Sequence, residues 1–217
     1  MKAKIAVATV SGKAYYLIVR ELKKRNIPFL SLTPHERIPM EIKVVLTTVE
    51  ERPLIGHGRV VALKNEMAPE ALINQALQAA QGKERYGKIT IGIDPGKTFG
   101  LAVLADGRVV ETANSSSVQE TSDKIRQILE NFESTSTASI SVKIGDGVLE
   151  YQTMLLEALD EVLPSNIVLE SVREEGTNLH TGETKHRRGL EDIFSAVKIA
   201  RRNGQTFTRS KTDESYS

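Results

Sequence analysis

The string Ile91-Gly92-Ile93-Asp94-Pro95-Gly96-Lys97-Thr98-Phe99-Gly100 ends an apolar run on a carboxylate beside a Pro-Gly turn. Desolvating that carboxylate costs free energy unless it is paired, hydrogen-bonded or bound to a cation. Asp94 therefore either initiates a turn or serves a site. The chain has no cysteine and four histidines, which excludes disulfides, thiolate nucleophiles, zinc ribbons and iron-sulfur clusters. Carboxylates are then the main available ligands, and hard oxygen-seeking cations the natural cofactors. Lys185-His186-Arg187-Arg188, with Arg201 and Arg202 a helix later and Arg209 and Lys211 beyond, reads as a phosphate track or as a solvated helix face. Aromatics at 5% with no Trp offer little base stacking, so any nucleic-acid contact is expected to follow the shape of duplex or structured DNA or RNA. Val10-Ser11-Gly12-Lys13 lies between a strand and a helix, where backbone amides meet phosphates. It lacks the spaced first glycine of a P-loop, so docking of a partner or substrate is the expectation there.

The elements that must position these residues fall into two groups. Lys4 to Val10, Lys13 to Arg25 and Ile27 to Leu32 read as strand, helix and strand. Strands at Ile42 to Val49 and Arg59 to Leu63 follow, then a helix from Pro69 through Ala80. This βαβ pattern resembles receiver-like or Rossmann-like domains in outline, without an acidic pocket of the receiver type, because the segment has no aspartate. Residues 1–87 carry 14 Lys/Arg against 8 Asp/Glu, and residues 88–217 carry 15 against 20, so a +6 part precedes a −5 part. Gln81 to Gly87 is polar and glycine-flanked and suits a linker. The expected division is a small basic α/β domain over 1–82, a second domain over 88–204 and a flexible tail over 205–217. The second domain reads as strands at Lys88 to Ile93, Phe99 to Ala105 and Arg108 to Ala113, with Asp106-Gly107 as a tight hairpin. A helix, a strand Ala138 to Ile144, a helix to Pro164, a strand Ile167 to Val172, a polar loop and a helix Gly189 to Arg202 complete it. No run approaches a membrane span and no secretory leader is visible, so the cytoplasm is the expected location, with no membrane partner.

The Gly-Ile-Asp-Pro-Gly strand, its hairpin and the later strand and helix carboxylates together resemble the ribonuclease H-like superfamily, nearest its RuvC-like Holliday-junction resolvase branch, over residues 88–204. The resemblance implies an α/β chain with a mixed five-stranded sheet and helices, preceded by the small βαβ domain. It implies Asp94 as first-strand ligand, Asp146 at the end of the fourth strand, where resolvases usually carry glutamate, and a ligand on the last helix. At about 100° per residue Glu191 shares a face with Lys198 and Arg202, while Asp192 borders the apolar stripe; Asp192 is therefore taken as the ligand, with Glu191 and Glu170 in reserve and Glu174 beside them. Three converging carboxylates repel unless a proton or cation intervenes, and Mg2+ or Mn2+ would support two-metal phosphodiester cleavage. The resemblance thus implies a nuclease of structured or branched nucleic acid. Asp94, Asp146 and Asp192 would be its catalytic metal ligands, Lys185, Arg187, Arg188 and Arg201 its phosphate contacts, and a homodimer its assembly by analogy. Two further readings stand beside it. One is a non-catalytic nucleic-acid- or protein-binding protein on the same fold. The other is an actin-like ATPase or sugar kinase, whose first phosphate motif the string also resembles, although the single copy of the fold argues against it.

Overall fold

In the computed structural model, residues 3–64, 67–83, 85–133, 137–174 and 185–210 are described, with backbone only for 133, 137–138 and 185–188. The chain divides into two compact units, Met1–Tyr86 with Glu130–Ser136, and Gly87–Leu129 with Thr137–Ser217. Both are α/β, the first around a parallel four-stranded sheet and the second around a mixed one. Among the described residues no helix is long and apolar enough to cross a membrane.

In the first unit the strands are β1 (Ile5–Ala8), β2 (Phe29–Leu32), β3 (Val44–Thr48) and β4 (Val60–Leu63), with helices α1 (Gly12–Lys24) and α2 (Pro69–Ala80). Every adjacent pair is parallel and the order is β2-β1-β3-β4. A parallel sheet is covered on both faces, so its inner strands need continuous apolar runs rather than alternation; β1 and β3 are buried at every position. Ile5, Val7, Val44 and Leu46 pack on Ile18 and Leu22 of α1 and on Leu72, Ile73 and Ala76 of α2. The opposite face, Ala6, Ala8 and Val45, is closed by Ile42 and Ile55 from connecting segments.

Ser11 caps α1 by accepting the Ala14 amide at 3.3 Å, and lysines 23 and 24 complement the dipole in its last turn. The helix stops at Asn26, whose φ of 53° suits a left-handed C-terminal residue. Past that stop, α1 and α2 are joined by a buried polar link. The Arg25 guanidinium donates to Glu21 at 2.6 Å and to the Asn74 side chain at 2.7 Å. Removing one partner of a buried pair strands the other, although Lys24 stands 3.6 Å from the same glutamate and softens the loss. Arg25→Met is expected to lower the stability of this unit by about 2 kcal/mol, read as a shift in the urea midpoint at unchanged slope. An unchanged midpoint would show the link to be idle.

The second unit runs β5 (Tyr86–Asp94), β6 (Phe99–Ala105), β7 (Arg108–Ser115), α3 (Val118–Glu133), β8 (Thr137–Gly145), α4 (Leu149–Val162), β9 (Val168–Val172), α5 (Lys185–Arg201) and β10 (Gln205–Thr206). The unit boundary divides α3 after Leu129. The sheet order is β10-β9-β8-β5-β6-β7. Strands β5, β6 and β7 form an antiparallel meander, β8 and β9 are parallel, and β10 returns antiparallel on β9. Asp106 and Gly107, with φ of 47° and 78°, make the hairpin between β5's neighbour β6 and β7.

Two differences from the sequence reading have physical causes. The sheet has six strands rather than five, because residues 205–210, expected as a flexible tail, are tied down. The Arg209 side chain donates to the Asp160 carboxylate at 2.7 Å and to the carbonyls of Asp160, Leu163 and Ile167. These carbonyls lie at and beyond the end of α4, where a helix leaves acceptors unpaired. The Ser210 amide also donates to Asp160 at 2.8 Å, and with Arg209 first these donors hold that carboxyl below its usual range. Second, α5 starts at Lys185, inside the span read as a polar loop.

Candidate functional site

Asp94 closes β5 opposite Gly100 of β6. Helix α5 lies so close over this pair that a Cβ at Gly100 would fall 2.2 Å from the Asp192 carbonyl oxygen, and one at Gly92 2.2 Å from that of Ala196. Only glycine permits such an approach. It brings Asp192, and Ser195 one turn on, to the strand end that carries Asp94. Burial, then the charges of Glu174 and Asp192, push the Asp94 carboxyl up to about 7 against the pull of a Ser195 hydrogen bond. Such a group exchanges its proton near neutral pH and is a natural acceptor for a hard cation.

The expected set Asp94, Asp146 and Asp192 is brought together in part. Asp192 acts on Asp94, as does Glu174, which the sequence placed only in reserve; Asp146 is not among the charges that raise it. Instead the Asp146 carboxylate accepts the Glu174 amide at 2.7 Å, while the Glu174 carboxylate accepts the Gly147 amide at 3.2 Å. The two residues clasp the loop after β8 to the end of β9. Among the described residues no group of three or more His, Asp or Glu side chains is arranged to hold a metal ion. Glu170 is ion-paired with the buried Lys143 at 3.1 Å, and it also accepts the Gly204 amide at 3.1 Å. Glu191 is exposed on α5.

Of the phosphate contacts, Arg201 is exposed, while the side chains of Lys185, Arg187 and Arg188 lie outside the described residues, as does Lys211. Arg209 is committed to Asp160, and Arg202 donates to the Arg173 carbonyl. Arg209 is thereby taken up within the fold, whereas Arg202 uses one donor. Sequence reasoning missed Ser195 and Lys143, whose roles depend on what α5 and the β8/β9 pair face.

A second site is set by the first unit. In an open parallel sheet, ligands gather beyond the carboxyl ends of the strands where the strand order reverses, here beyond β1 and β3. That corner holds Thr9, Val10, Ser11, Thr48 and Glu51. Glu51 accepts the Val10 amide at 2.8 Å and the Thr48 hydroxyl at 2.9 Å. Burial alone would raise its carboxyl, but bonds from Thr9, Val10 and Thr48 hold it below the ordinary range. The carboxylate stays charged, and each of its oxygens already has a donor.

Residues 4–80 match the response regulator receiver-like domain family. The match covers the first unit's whole sheet and both its helices, and agrees with the outline resemblance of the βαβ segment. No curated protein matches the chain. The match overturns the RuvC-like assignment and the nuclease activity drawn from it: the family found belongs to regulation, not to phosphodiester cleavage. The match ends at residue 80 and does not reach Asp94, Asp146 or Asp192. Their places in the second unit stand as described.

Proposed function

We propose that this chain is a regulatory protein whose receiver-like unit works by binding, without accepting a phosphoryl group. One observation carries the reading. The corner beyond β1 and β3 holds a buried glutamate with both oxygens engaged, and residues 1–87 contain no aspartate. Phosphorylating a carboxylate requires an accessible oxygen to attack phosphorus, whereas Glu51 is buried and each of its oxygens accepts a hydrogen bond. Full-length chain incubated with acetyl phosphate and Mg2+ is expected to show no mass gain on residues 4–80; a stable adduct there would overturn the phosphoryl-independent reading. Deleting those residues in the cell is expected to change the abundance of other proteins, read by quantitative proteomics. An unaltered proteome would sink the regulatory role.

The second unit would carry the input. The burial of Asp94, with the charges of Glu174 and Asp192 beside it, supports a site there for a proton or for Mg2+ or Mn2+, held by Asp94 and Asp192 with Glu174 adjoining. The strand order β9-β8-β5-β6-β7 with its antiparallel meander supports a ribonuclease H-like arrangement as scaffold, with no activity attached. Nucleic acid and a second copy of the chain are partners to be separated by salt dependence and by concentration: a phosphate contact at Arg201 weakens with salt, whereas a homodimer dissociates on dilution.

A further inference from the structure

We propose that the free edge of β4 takes an extended, acid-flanked segment of a partner protein as an additional strand. Strand β4 ends the parallel sheet. The Val45 amide donates to the Arg59 carbonyl at 3.0 Å, and the register pairs Val45 with Val60. In a parallel ladder successive residues bond alternately to the two sides, so the amides and carbonyls of Val60 and Ala62 point to the side that has no neighbouring strand among the described residues. Most proteins blunt such an edge with charge, proline or a bulge inside the strand. Here the strand is Val-Val-Ala-Leu, without any of these.

Both sheet faces beside the edge are already apolar. Val61 and Leu63 pack with the α1/α2 layer, and Val60 with the opposite layer. An added strand with apolar alternate residues would extend the layer on the face those residues share. Its chemistry is set by what brackets β4: Arg59 and Lys64 are exposed at its two ends, in the part of the chain with the +6 balance. A second copy is the poorer occupant, because the two-fold antiparallel register that pairs outward Val60 with outward Ala62 brings Arg59 of one copy within one position of the other copy's Lys64 at both ends and so gathers like charge there. An acidic flank at each end of the incoming segment meets Arg59 and Lys64 with opposite charge instead. Strand addition of this kind takes affinity from main-chain bonds and selectivity from side chains.

The inference rests on the regulatory reading for the existence of a partner, and on the sheet alone for its mode of binding. The probe is the synthetic peptide Glu-Glu-Val-Thr-Val-Thr-Val-Glu-Glu, with a twin in which lysine replaces each glutamate, added to the full chain. The acidic peptide is expected to slow hydrogen exchange at the Val60 and Ala62 amides and to bind about tenfold or more tightly than the twin. Ala62→Pro removes an outward amide while leaving the inward ladder to β3 intact, and is expected to abolish binding at an unchanged melting temperature. If that variant fails to fold, the Arg59→Glu, Lys64→Glu pair decides, since it should reverse the preference toward the lysine twin. Equal binding of the two peptides, protection elsewhere than β4, or a concentration-dependent dimer protecting the same amides overturns the proposal. Peptide binding at β4 combined with an unaltered proteome would sink the regulatory reading alone.

Discussion

Gly100→Ala is expected to cost the second unit about 3 kcal/mol, at the upper end of what overpacking does. The added methyl would sit 2.2 Å from the Asp192 carbonyl oxygen and 2.3 Å from its carbon. Backbone cannot rotate aside as a side chain can, so α5 must lift from β6, and Ala196 and Ala200, which pack on Ala102 and Leu104, lose their contacts together. Gly12→Ala is the matched control, because a Cβ there meets nothing within 4 Å. Thermal melts monitored by far-ultraviolet circular dichroism should show a large loss for the first variant and almost none for the second. Equal melting temperatures would mean that the helix does not ride on the glycine.

The second large effect is pH-dependent and concerns Asp94. Its folded carboxyl titrates at about 7, raised first by burial and then by Glu174 and Asp192, whereas the unfolded one titrates in the ordinary carboxylate range. Between those two values the folded state binds more protons than the unfolded state, so stability falls as pH rises through the window. The penalty is absent at pH below the unfolded value and complete above about 7. Asp94→Asn removes the ionisation and is expected to stabilise the chain by about 3 kcal/mol at alkaline pH. The gain should shrink steadily as the medium is acidified. Chemical denaturation across that range checks it, and a gain independent of pH would refute the electrostatic cause. Added Mg2+ or Mn2+ tests the cation proposal in the same experiment, by raising the wild-type midpoint and not that of Asp94→Asn.

How much of this was legible in the sequence depends on how far each residue reaches. Asp94 shows itself because strand, carboxylate and turn are contiguous, and Asp106-Gly107 gives the hairpin for the same reason. Asp192 follows from helical phase. Glu174 escapes emphasis because it acts from the coil after β9, reaching back to the Gly147 amide 27 residues earlier. Glu51 is invisible for a like cause: its bond to the Val10 amide spans 41 residues and exists only because β1 and β3 lie side by side. Residues 205–210 look like a frayed polar end, yet Arg209 finds carbonyls that α4 leaves open. The receiver-like outline was readable from the βαβ order, since alternating strand and helix with apolar runs admits few sheet arrangements.

Glu51 bears on how such a protein would be governed. Its negative charge is written into the chain and is present from the moment the unit folds, so no modifying enzyme has to place it and none can take it away. Under the proposed reading this corner has no modified and unmodified forms to alternate between. Its contribution to the output is then set by how many molecules are present, so the rate of synthesis and the half-life of the chain act there as a dose, beside whatever the second unit senses.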